Sequence, residues 1–192
     1  MASCSYEQCV QSLISPDRRH RRSEVLDSFP DTSVKGAYAW WFKNMPGFVP
    51  LEGAPRFRGM TLLYVGTSKR PLRERLREHI IDDTSRSTLR RSIGCLLAEQ
   101  LQLEFVVKRE SRGTRCHYGF DSQGEVALTN WIEENALVSW VEHNEPLLLE
   151  AHLIKTLTIP MKIKGNSHPF ARVLHSRRVA LFDKARALRT TL

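Results

Sequence analysis

With 192 residues and 29 Lys and Arg against 21 Asp and Glu, a formal charge of +8, the chain has the length of one ordinary domain plus an appendage, and its charge favours a polyanionic partner, nucleic acid first. Cys4, Cys9, Cys95 and Cys116 form no CxxC pair, which excludes a disulfide scaffold and a zinc knuckle and suits a reducing cytoplasm. No apolar stretch approaches the ~18 residues needed to span a bilayer, and no signal-peptide core opens the chain, so a cytoplasmic protein without a membrane partner is expected.

Residues 1–33 carry YEQCVQSLI and then the cationic run Arg18-Arg19-His20-Arg21-Arg22. Such a run repels itself, and the segment reads as a basic N-terminal arm ahead of a single domain over 34–192. From Lys35 the chain turns apolar and aromatic. GAYAWWF (36–42) and MTLLYVG (60–66) have strand character, and the Pro- and Gly-containing connection over 43–59 makes them a hairpin with an enlarged loop. Alternation puts Tyr38 on a face with Trp40 and Phe42, and Tyr64 on a face with Leu62 and Met60.

Residues 68–81 read as a helix with Pro71 near its first turn and Leu72, Leu76 and Ile80 on one stripe. A second helix over about 87–101 has Leu89, Ile93, Leu96 and Leu97 on its apolar face and Arg90 and Arg91 exposed. LEFVVKR (103–109) reads as a third strand, and 110–128 as a long loop. A short helix near 130–136 and the apolar run LVSWV follow. Pro146 then opens the helix LLLEAHLIKTL (147–157). A Gly-Asn turn in MKIKGNSHPF and a basic amphipathic helix, SRRVALFDKARAL, complete the chain.

Three features carry chemistry. Tyr38 and Tyr64 either pack as core aromatics or present hydroxyls at a sheet rim. Arg75 and His79, four apart, stack on one side of a helix, where they line a cleft edge or form part of a solvated basic face. Arg offers a fork of donors matched to phosphate, and His a proton acceptor near neutral pH. Leu147, Glu150, Ile154 and Leu157 share a stripe, so a carboxylate interrupts an apolar face. Unless it reaches solvent, Glu150 needs a cation or a partner such as Arg75.

Taken in order, GAY, YVG, Arg75 and His79 in LRERLREH, Glu150 in LLLEAHL and Asn166 in KGNSHPF resemble the motifs of the GIY-YIG nuclease family over about residues 34–180. Two departures are Ala37 in place of the usual Ile and a longer spacer between the two Tyr motifs, where Arg56 and Arg58 stand as substrate contacts or as part of a plain surface loop. The resemblance implies an α+β fold, a small antiparallel three-stranded sheet flanked by helices with the basic arm and a C-terminal helix added. It also implies a metal-dependent endonuclease that hydrolyses DNA.

On that resemblance Glu150 holds Mg2+ or Mn2+. Arg75 neutralises charge on the scissile phosphate, a contribution of ~3 kcal/mol. Tyr38 is the general base, helped by Tyr64 and His79, if nearby cations favour its phenolate; otherwise His79 is the base. Asn166 orients Glu150 or a water, or serves simply as a turn residue after Gly165. Lys69, Arg70, Arg73, Arg77, Arg90, Arg91, Lys162 and Lys164 track the DNA backbone without reading bases. A homodimer would let the enzyme cut both strands. The rival reading is a catalytically silent DNA-binding module on the same fold.

Overall fold

The computed structural model describes residues 4–17, 19–29, 33–110 and 116–190. Within the segment expected to be an arm, Ser5 and Gln8 form a reciprocal capping box that starts helix α1 (Tyr6–Ile14), which buries Cys9, Val10 and Leu13. Backbone hydrogen bonds in both directions then tie His20 to Val138. This stretch therefore packs against the rest of the chain, because its apolar positions recur at helical spacing and find a sheet face to cover.

Strand β1 (Gly36–Phe42) is buried on both faces, which explains why GAYAWWF is a continuous apolar run instead of an alternating one. The connection that follows is ordered, burying Val49 and Ala54, and ends in the two-residue strand β2 (Arg56–Phe57) beside β3 (Met60–Ser68). Helix α2 (Leu72–Ile80), a 3-10 turn at Thr84–Arg86 and helix α3 (Thr88–Leu97) come next. Strands β4 (Phe105–Glu110) and β5 (Cys116–Phe120), helix α4 (Ser122–Asn135), strand β6 (Ala136–Glu142) and helices α5 (Pro146–Thr156) and α6 (Pro169–Thr190) complete the order.

The main sheet is antiparallel with four strands, β2-β3-β1-β6, not the three expected. LEFVVKR does not join it; as β4 it pairs with β5 in a separate two-stranded ribbon. Its place is taken by LVSWV, which forms β6 and pairs along the whole of β1, from Gly36 opposite Glu142 to Phe42 opposite Ala136. The expected loop over 110–128 is largely β5 and the first turns of α4, where Asp121 accepts the Gly124 N–H at 2.8 Å. Residues 111–115 lie outside the described residues.

One irregularity sets the register. Trp40 pairs with Tyr64 but Trp41 with Leu62, so Leu63 is an extra residue in β3. The bulge overturns the strict alternation expected there: Leu63 and Tyr64 both join the core beneath α2 and α3, whereas Leu62 and Met60 pack on the opposite face beneath α1 and α5. Helices thus cover both faces of β1. Tyr38, Trp40 and Phe42 face one core, and Ala37, Ala39 and Trp41 the other. Among the described residues no helix is long and apolar enough to cross a membrane.

Candidate active site

Two glycines fix where Tyr38 lies. Gly36 adopts φ 151°, and a Cβ there would come 2.0 Å from the Val141 carbonyl oxygen, so only glycine lets β6 close on the start of β1. Gly66 lies directly opposite Tyr38 in the ladder, and a Cβ on it would meet the Tyr38 hydroxyl oxygen at 2.3 Å. The glycine of YVG is the space that the tyrosine of GAY occupies.

Helix α2 brings His79 to that hydroxyl. Leu72, Leu76 and Ile80 are buried as the spacing predicts, but His79, expected at a cleft edge, is fully buried with them. Its Nε2 lies 2.7 Å from the Tyr38 hydroxyl and its Nδ1 2.7 Å from Ser87 Oγ. Ser87 caps α3 by accepting the Arg90 N–H at 3.0 Å. Trp40 and Tyr64 both present rings to His79 at centroid distances of 6.4 Å. Burial, reinforced by the charges of Arg75 and Arg90, pushes the His79 pKa well below its ordinary value. Burial also holds the Tyr38 phenol well above its own, with neighbouring Tyr64 adding to the rise and the Arg75 charge opposing it. At neutral pH the pair is a phenol and a neutral imidazole.

Arg75, also close to Tyr38, is ion-paired with Glu78 three residues on, and Glu78 takes a second hydrogen bond from Arg70 at 2.8 Å. On α5 the buried stripe is Pro146, Leu149 and Leu153, while Leu147 is 49% exposed. The expected stripe through Leu147 and Glu150 is therefore rotated, because the helix turns its leucines at 149 and 153 to the sheet. Glu150 sits beside the buried row, ion-paired with the nearly buried Lys162. The Lys162 ammonium also lies 5.9 Å from the Tyr64 ring centroid.

Asn166 is spent on its own loop. Its amide nitrogen donates to the Ile159 and Lys162 carbonyls at 2.7 and 2.8 Å, and its oxygen accepts the His168 N–H. Instead of touching Glu150, it staples the loop that carries Glu150's partner. Of the basic residues expected on the DNA, Lys69, Arg70, Arg77 and Lys164 are exposed. Arg73 is half-buried and donates to the Leu26 carbonyl at 3.0 Å, and Arg91 is half-buried as well.

Arg90 requires a correction. It is fully buried, its guanidinium 2.8 Å from Glu125 and bonded to Thr84 and Thr129, since the helix face expected in solvent packs against α4. Lys162, likewise, is only 8% exposed and turned onto Glu150.

A family model for the GIY-YIG catalytic domain matches residues 36–180. The chain belongs to the GIY-YIG family. No curated protein and no solved structure matches it. The GIY-YIG match begins at the first residue of β1 and ends within α6, so all six motif residues fall inside it, and the family indicates a nuclease.

Three GIY-YIG site neighbours escape a sequence reading: Ser87, Glu78 and Lys162 in its role on Glu150. Glu78 had a signal, standing three residues from Arg75 on the same helix. Ser87 showed only as a helix start, and the Lys162–Glu150 pair appears only once α5 and the 159–168 loop are folded together. A divalent cation would have one carboxylate to use in this donor set, Glu150, once Lys162 leaves it. No group of three His, Cys, Asp or Glu that could hold a metal occurs among the described residues. That suits a hard ion that keeps most of its water and takes other oxygens from a substrate.

Proposed function

We propose that the protein is a metal-dependent DNA endonuclease that hydrolyses phosphodiester bonds at the centre around Tyr38. The observation that carries this reading is the 2.7 Å contact between the Tyr38 hydroxyl and an imidazole kept neutral by its surroundings. A free phenolate is disfavoured by burial, so the base is the pair. Tyr38 Oη takes a proton from the attacking water as its own passes to His79 Nε2, in the tautomer whose Nδ1–H is donated to Ser87 Oγ. Ser87 Oγ has two lone pairs, enough to accept that proton and the Arg90 N–H together.

Arg75 neutralises charge on the scissile phosphate. Tyr38 has no exposed surface, so substrate must open the centre: Arg75 and Lys162 exchange Glu78 and Glu150 for phosphate oxygens. Glu150, once released, would hold Mg2+ or Mn2+, which would supply charge stabilisation at the leaving oxygen. Asn166 acts by positioning the Lys162 loop. Lys69, Arg70, Arg77 and Lys164 hold the backbone of DNA on either side. We place the catalytic domain at 34–192 with the preceding segment docked on it, in the cytoplasm, and assign double-strand cleavage to a homodimer.

The Lys162–Glu150 pair also favours a second reading, a DNA-binding module whose carboxylate is permanently neutralised. Supercoiled plasmid and branched oligonucleotides, incubated with wild type or Glu150→Gln in Mg2+, Mn2+ or EDTA, separate the two. The nuclease reading expects cation-dependent cutting by wild type, lost in the variant while DNA affinity is kept. DNA binding by wild type with no cutting under either metal would establish the module instead.

A further inference from the structure

Next to the ion-paired Arg90, which bonds Glu125, Thr84 and Thr129, stands an arginine with the opposite character. Arg91 lays its guanidinium over the Tyr118 ring at 5.4 Å, and Tyr118 packs against Phe182 of α6 at 4.9 Å. One turn before Phe182 on the same helix is Arg178. The Nε atoms of Arg91 and Arg178 are both buried with no hydrogen-bond partner, and neither guanidinium has a carboxylate partner among the described residues. The terminal nitrogens of Arg91 reach only the Ser85 carbonyl and the Thr88 hydroxyl, each at 3.3 Å.

Packing two cations together while leaving buried donors idle is costly in the free protein, and buried donors without acceptors are rare. Helices α3 and α6 pack together, which brings Arg178 near Arg91; burial, and after it the charge of Arg178, lowers the Arg91 pKa, and weaker effects of Arg75 and Tyr64 put Arg91 within electrostatic reach of the catalytic centre. The ligand that would satisfy both guanidinium forks is an anion with several acceptor oxygens.

Building on the nuclease reading, we propose that Arg91 and Arg178, backed by Tyr118, form a pocket for a second backbone phosphate of the DNA, flanking the one that is cut. The pocket holds the strand at a point beside the centre, so that the scissile phosphate arrives at Arg75 already aligned. An exposed lysine such as Lys69 adds attraction but no such alignment.

A double-mutant cycle on DNA binding, measured by fluorescence anisotropy in EDTA so that cleavage plays no part, tests this. Arg91→Gln and Arg178→Gln should each weaken binding ~10-fold, and the double variant should be little weaker than either, because both act on one phosphate. Lys69→Gln should instead add its loss to each. In the free protein Arg178→Gln should leave the melting temperature unchanged or raise it by ~2 °C, since it removes an uncompensated charge. Additive losses, or a lowered melting temperature with unchanged DNA affinity, would overturn the pocket. Because no step depends on cutting, the cycle can hold when the nuclease reading fails, and can fail when plasmid is cut.

Discussion

His79 shows how burial turns a side chain from a surface base into a neutral acceptor. Its pKa in the fold lies well below the ~6.5 of an unfolded chain, so between those two values the unfolded state binds the extra proton. The resulting stability is present above pH ~6.5 and is lost as pH falls. Thermal melts of wild type should therefore decline more steeply below that pH than melts of His79→Gln, and parallel declines would contradict the neutral imidazole. Glu150 was legible as an oddity, a carboxylate among leucines, although the stripe expected to carry it is not the one the helix buries. Asn166 was legible as to its place but not its work, since only the folded loop reveals that both ends of its amide are taken by backbone.

Among the elements, those defined by local pattern were readable: both Tyr strands, α2 with its leucines, the apolar face of α3, and α5 after its proline. Pairing was not. Whether LEFVVKR or LVSWV lies beside β1 depends on contacts nearly a hundred residues apart, and both are plausible strands when seen alone. Arg90 is buried and not exposed for the same reason: its partner Glu125 sits on a helix within a stretch that reads as a loop. That ion pair joins α3, α4, the 3-10 turn and β5: Glu125 also accepts the Thr84 and Phe120 N–H groups at 2.9 and 3.2 Å. Glu125→Gln leaves the guanidinium without a countercharge, and chemical denaturation should show a loss of about 3 kcal/mol, the cost of orphaning a buried partner. A loss no larger than that of a surface substitution would show the pair to be dispensable.

Across the whole molecule the positive charge is divided between spent and unspent cations. The exposed Lys69, Arg77 and Lys164, and Arg70 whose ion pair with Glu78 lies at the surface, should by themselves contribute about −4 to the log–log slope of DNA affinity against salt, close to one counterion per phosphate neutralised. Anisotropy titrations at several salt concentrations measure it, and a slope shallower than about −1 would remove DNA from the reading. At the centre, by contrast, Arg75 is balanced by Glu78 and Lys162 by Glu150. A single nucleotide or a free phosphate ion arriving there must break one of these pairs with no rim contacts to offset the loss, whereas a polymer already held along its backbone can do so. The site thus selects by length before any base is read, and a short fragment released after cutting has little hold on the centre that made it.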